Sequence, residues 1–196
     1  MGYTHYWTLK KGANDPERFA LAVNLFKECW EKAPKTFSYK VWDDKTKSWK
    51  RKRFKKENLL KGGCGTGEAT ITDTEIYFNG DAKYGLDHET FYISLENLND
   101  NWLHRENGDV WNFCKTARKP YDLAVCLALL SFKKVFGDDF EYSSDGVTRE
   151  GIKDPESIKY WKKINWKPKV EAEWKKAYRI FDEVMFERQY HSVMAR

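Results

Sequence analysis

Three cations stand directly before a marked helix start in Phe113-Cys114-Lys115-Thr116-Ala117-Arg118-Lys119-Pro120-Tyr121-Asp122. A helix N-terminus exposes free N–H groups and about half a positive charge, so it attracts anions. Lys115, Arg118 and Lys119 would strengthen that attraction and point to phosphate. They are unfavourable for the helix itself, which prefers acids such as Asp122 in its first turn. A local choice against the element's own preference is a pointer to a ligand. The plain alternative is three solvated cations with Asp122 helping to cap the helix.

The opening Tyr3-Thr4-His5-Tyr6-Trp7 alternates, placing Tyr3, His5 and Trp7 on one strand face and Thr4 and Tyr6 on the other. Tyr3 or Trp7 beside a phosphate could stack a nucleobase. Core filling is the commoner use of such aromatics. His5 stands apart, because a polar ring in an aromatic run needs a partner or a ligand. Asn79-Gly80 and His88-Glu89 flank a loop between two strands, and His88 beside Glu89 could work as an acid–base pair. The run His88-Glu89-Thr90-Phe91-Tyr92 lacks the second histidine of a zinc-protease helix. Four cysteines without a C-x-x-C pair and four histidines without repeated spacing give no ligand set, so no metal and no cofactor are expected. Gly62-Gly63-Cys64-Gly65-Thr66-Gly67 resembles half of a dinucleotide fingerprint but leads into a strand, not a helix, and reads as a flexible loop.

The net charge of +5 is local. Between Asp43 and Lys61 nine Lys or Arg face three acids, so this one segment carries more than the whole chain's excess. Trp42, Trp49 and Phe54 interleave with Lys50, Arg51, Lys52 and Arg53, as in a hairpin that holds nucleic acid. The plain alternative is a solvated face. The segment at about 36–61 reads as a hairpin-like insertion whose removal spares the core.

The elements that must position these residues are legible in outline. Tyr3 to Leu9 reads as a strand. Asp15-Pro16 starts a helix with Phe19, Val23, Phe26 and Trp30 on one face, ending before Pro34. Phe37 to Trp42 and Trp49 to Phe54 pair as a hairpin. Strands follow at Ala69 to Phe78, closed by Asn79-Gly80, and at about Glu89 to Leu95. Residues 98–112 read as irregular. Pro120 opens a helix apolar almost all round from Leu123 to Leu130, the mark of a central element. Phe140 to Ser143 is a short strand, and a last helix spans about Val170 to Gln189. The expected class is one α+β domain over residues 1–196, an antiparallel sheet with helices on one face. Its expected topology is ferredoxin-like βαββαβ plus a C-terminal helix.

At 196 residues, with 41% hydrophobic and 33% charged residues and a mean hydropathy of -0.81, the chain carries a real core under a solvated shell. It has no apolar run long enough to span a bilayer and no secretory leader, so the expected setting is cytoplasmic, without a membrane partner.

Four stretches together, the MGYTHYW start, Phe78-Asn79-Gly80 with His88-Glu89-Thr90-Phe91, the Phe113-to-Asp122 run, and Ser143-Ser144-Asp145-Gly146, resemble an uncharacterised family of small phage and bacterial proteins. The resemblance brings no activity. It implies one shared pocket made of His5, Asn79, His88, Glu89, Lys115, Arg118 and Asp122. The expected function is non-enzymatic binding of a small phosphorylated ligand, a nucleotide or nucleotide-derived signal. In a phage this would act in the host cytoplasm by sequestering a defence messenger. The alternatives are a hydrolase or phosphodiesterase using His5 or His88 with Glu89, and a nucleic-acid binder using the basic segment.

Overall fold

The computed structural model describes residues 2–96 and 107–194 and shows an α+β fold with antiparallel sheets. Strand β1 (Thr4–Leu9) is central in a three-stranded sheet, flanked by β8 (Val110–Lys115) and β9 (Phe140–Ser144), antiparallel to both. Its inward row is His5, Trp7 and Leu9, continued from Tyr3 just before the strand, and all four are buried. The intervening strands form two smaller arrays. The hairpin β2 (Thr36–Asp43) and β3 (Ser48–Lys55) stands as its own ribbon, with Trp42 opposite Trp49. Around β6 (Glu75–Gly80) gather β4 (Leu60–Lys61), β5 (Thr70–Thr72) and β7 (Phe91–Ser94).

The sequence-based topology needs correcting at its third strand. The neighbour of β1 is β8, part of a stretch expected to be irregular, and the expected middle strands lie in the β6 array. Trp111, Asn112 and Phe113 show no clean alternation, so pairing along β1 decides this strand. β7 meets β8 where Asn112 Nδ2 donates to Tyr92 O at 3.3 Å, and just before β7 Glu89 N donates to Lys115 O at 3.1 Å. The segment expected as one strand over 69–78 folds back at Asp73-Thr74 into β5 and β6. Asn79-Gly80 does not turn the chain, because β6 runs through it. A Cβ at Gly80 would sit 2.0 Å from the Leu86 carbonyl oxygen, so this close approach needs glycine.

Helix α1 (Pro16–Lys32) starts where Asp15 Oδ1 accepts from Glu17 N at 2.9 Å and Arg18 N at 3.1 Å. Pro34 holds Ala33 extended and ends it. Helix α2 begins at Asp122, so Lys119 and Pro120 lie in the turn before it, and it ends at Phe136 before Gly137. Every α2 residue from Asp122 to Phe132 is buried. α1, β9 and a last helix, α4 (Ala172–Met194), cover it. Helix α3 (Pro155–Lys163), which sequence reasoning did not place, carries no buried residue.

The core also reaches into the supposed insertion. On the ribbon's inner row Phe37 faces Phe54 and Val41 faces Lys50. Phe37, Val41, Phe54 and Leu59 all join the buried cluster. The segment is therefore not peripheral throughout. No helix among the described residues is long and apolar enough to cross a membrane.

Candidate functional site

His5 and Asp122, 117 positions apart in the chain, meet at the centre of the molecule. The inward row of β1 points His5 at the first turn of α2, where Asp122 turns inward instead of capping. His5 Nε2 lies 2.8 Å from Asp122 Oδ1, and both side chains are 0% exposed. Thr116 Oγ1 donates to the same carboxylate oxygen, and Cys126 Sγ lies 3.9 Å from the other. Burial, with Asp122 adding to it, pushes the Cys126 thiol well above its usual range. Buried polar groups must find partners, and this network supplies them. Three neighbouring polar atoms, Tyr3 Oη, His5 Nδ1 and Trp174 Nε1, have no partner within hydrogen-bond geometry among the described residues. The Tyr3 and Trp174 rings lie edge-on to His5 at 5.1 and 5.5 Å.

His5, Asp122 and Cys126 are also the one group among the described residues whose donor atoms gather as metal ligands might, within 4.8 Å. Cysteine and histidine spacing gave no hint of it, because the third member is a carboxylate. Two ligands about 2.0–2.1 Å from a tetrahedral zinc would stand roughly 3.3 Å apart. The 2.8 Å contact is shorter, the length of a hydrogen bond.

The other expected site residues tie the loop after β6 to the turn before α2. Asn79 is fully buried. Its Oδ1 accepts from Gly80 N at 2.8 Å and His88 N at 3.0 Å, while Nδ2 donates to His88 O at 3.1 Å and Thr90 Oγ1 at 3.2 Å. Glu89 Oε2 accepts from Lys115 N at 2.7 Å, and Lys115 Nζ lies 3.6 Å from Glu89 Oε1. Tyr121 Oη donates to Glu89 O at 2.7 Å, and Lys119 Nζ donates to Asp87 O. The His88 ring is exposed, and no hydrogen bond joins it to Glu89 among the described residues. Arg118 sits in the left-handed region with φ 55°, after Ala117 at 51°. Its guanidinium lies 4.0 Å over the Tyr3 ring and pairs with Glu171 at 3.3 Å.

The structure thus gathers these residues but engages them with one another. Trp7 packs on Phe91 and is 4% exposed, so it has no free face for a base. Tyr3, at 2%, offers its face to Arg118. The expected base-stacking role of either ring is therefore not met by its surroundings. Lys115, Arg118 and Lys119 each hold an acceptor of the protein, where free phosphate-seeking cations were expected.

No protein-family model, curated protein or solved structure matches the chain. The site must be read from its own geometry.

Unengaged cations lie elsewhere. A cleft of about 750 Å³ opens between β3, the glycine-rich turn at 62–67 and the loop after β6. Lys52, Arg53, Lys61 and Lys83 line it, with Thr66 and Tyr84, and none of the four is in an ion pair among the described residues. The glycine-rich turn is packed, not a loose loop. Gly65 has φ 73°, and a Cβ there would lie 2.6 Å from Gly80 O. Two acids, Glu68 and Asp81, also line the cleft, but Asp81 is held as a cap by Lys83 N at 2.9 Å. Sequence reasoning separated the glycine run from the basic segment. Their proximity in the chain was the available signal.

Proposed function

We propose that the protein binds a phosphorylated ligand of the nucleotide class in the cleft between the β2–β3 ribbon and the glycine-rich turn. The observation that carries this reading is the convergence of Lys52, Arg53, Lys61 and Lys83 on one concave surface without carboxylate partners among the described residues. Set against Glu68 and Asp81, the four cations still leave the cleft positive, and a phosphate oxygen takes charge-assisted bonds of about 1.5–3 kcal/mol each. Tyr84, 41% exposed with Lys83 Nζ 5.4 Å from its ring centre, offers a surface for a base. A binder is favoured over a hydrolase because His5 and Asp122 are wholly buried and no hydrogen bond joins His88 to Glu89 among the described residues.

The test is mass spectrometry of what the protein retains from a nucleotide mixture, followed by titration with ATP and with adenosine. ATP should bind and adenosine should not. Lys61→Glu with Lys83→Glu should weaken ATP binding at least tenfold, with Arg118→Ala having little effect. If adenosine binds as well as ATP, or no phosphorylated compound is retained, the proposal fails. If Arg118→Ala carries the loss instead, the site lies at the start of α2.

A further inference from the structure

The geometry points to single-stranded nucleic acid as the natural occupant of this surface, with the cleft holding only part of a longer strand. This rests on the cleft being a phosphate site. A second groove, of about 380 Å³, continues from it, and Lys52, Lys83 and Tyr84 line both. The second groove adds Trp42, Trp49, Lys40 and Lys119, with one acid, Asp44. The joined lining brings Lys61, Lys83, Lys52 and Lys119 together with the rings of Tyr84, Trp42 and Trp49.

The tryptophans pair across the ribbon, and Trp42 Nε1 donates to Asp44 Oδ1 at 3.1 Å, yet much of both rings stays open to solvent. Trp42 and Trp49 are 46% and 66% exposed and meet edge to face at 5.6 Å. They sit opposite each other in the ribbon's register, next to its turn. Beside them on the same row, Lys40 faces Arg51 and Ser38 faces Arg53. Opposed cations on neighbouring strands destabilise a two-stranded ribbon, and a polyanion laid along it removes that cost. Eight residues per strand give the ribbon a length of about 27 Å, far more than one mononucleotide covers. Exposed rings beside cations are how proteins hold unpaired bases, whose flat faces are free, with phosphates neutralised alongside. A duplex keeps its bases stacked inside and has no face to offer Trp42 or Trp49. A β-ribbon can still enter a major groove, so duplex DNA is the competing occupant.

The experiment is fluorescence anisotropy of the full chain with a labelled oligothymidylate of about twelve nucleotides. Competitors are ATP and a duplex of the same length. The single strand should bind at least tenfold tighter than ATP and tighter than the duplex. Its log affinity should fall with log salt at a slope of about −3, four phosphates being neutralised at about −0.7 each. Trp42→Ala with Trp49→Ala should weaken the single strand tenfold or more and leave ATP binding within about twofold. Both residues are exposed, and a thermal melt matching the wild type certifies the fold. If single strand and ATP bind equally, the phosphate site stands and the inference falls. A duplex preference, or no effect of the tryptophan changes, also overturns it. Binding of neither ligand removes both readings.

Discussion

Replacing Asp122 by alanine tests whether the centre of the molecule is a structural tie. The carboxylate accepts from His5 and Thr116 and stands near the Cys126 thiol, at zero exposure. Alanine leaves the His5 N–H without an acceptor and the Thr116 hydroxyl with only the Tyr3 carbonyl at 3.4 Å, an unsatisfied buried donor costing about 1–3 kcal/mol. With the lost volume, the expected destabilisation is about 3–5 kcal/mol, the range for removing one partner of a buried polar pair. For a chain of this length each kcal/mol moves Tm by about 2–4 °C, so a fall of roughly 6–20 °C is expected. Asp122→Asn keeps one oxygen and the volume, and should lose about half as much. The assay is thermal and urea unfolding followed by circular dichroism, with Thr116→Val completing a double-mutant cycle. Strong coupling is expected, since both side chains share one oxygen. If Asp122→Ala melts within about 2 °C of the wild type, the network does not hold the fold and the reasoning fails.

Phe54→Ala should cost about 3–5 kcal/mol, whereas Trp49→Ala on the same strand should change stability by less than about 1 kcal/mol. Equal effects in a melt would mean that the ribbon does not divide into a core row and a free row. Gly80→Ala should destabilise by about 1–3 kcal/mol, because the Leu86 carbonyl is backbone and cannot yield; an unchanged melt would refute the close approach. Under native conditions a thiol reagent should label Cys64 fast and the other three slowly, since burial pushes Cys29 up to about 12 and raises Cys114 and Cys126 too. Fast labelling of a second thiol would contradict this. Elemental analysis should show no stoichiometric zinc, and about one tightly held metal per chain would mean that His5, Asp122 and Cys126 close on an ion.

Local signals survive translation into structure where a few adjacent residues decide the outcome. Asp15-Pro16 and Pro34 bound α1, and the apolar run of α2 marked it as central. The β2–β3 ribbon forms about the expected turn, because its register needs only its own residues. What failed to show was non-local. β8 is a strand because β1 needs a second neighbour, a fact absent from Trp111-Asn112-Phe113. Asp73-Thr74 turns the chain inside a β-rich stretch that hides it. The site shows the same division. The separation of His5 from Asp122 conceals their contact, and only the resemblance of four scattered motifs proposed that they share a place. That Lys115 would spend itself on Glu89 and Arg118 on Glu171 depends on loops whose paths no spacing reveals.

The burial of α2 on all sides also governs how the chain can reach its native state. Its covering comes from α1, made earlier, and from α4, whose buried Trp174, Ala177, Ile180 and Val184 are made some forty residues later. At about 5–20 residues per second, a ribosome leaves one side of an almost wholly apolar helix bare for several seconds. In that interval the nascent chain resembles a client for a chaperone more than a folded domain. The last step of folding is then the closure of α4 over the centre, a contact between distant segments and hence a slow one. A ribosomal pause between α2 and α4 would lengthen the exposure, so synonymous changes there should alter the soluble yield without changing a single residue.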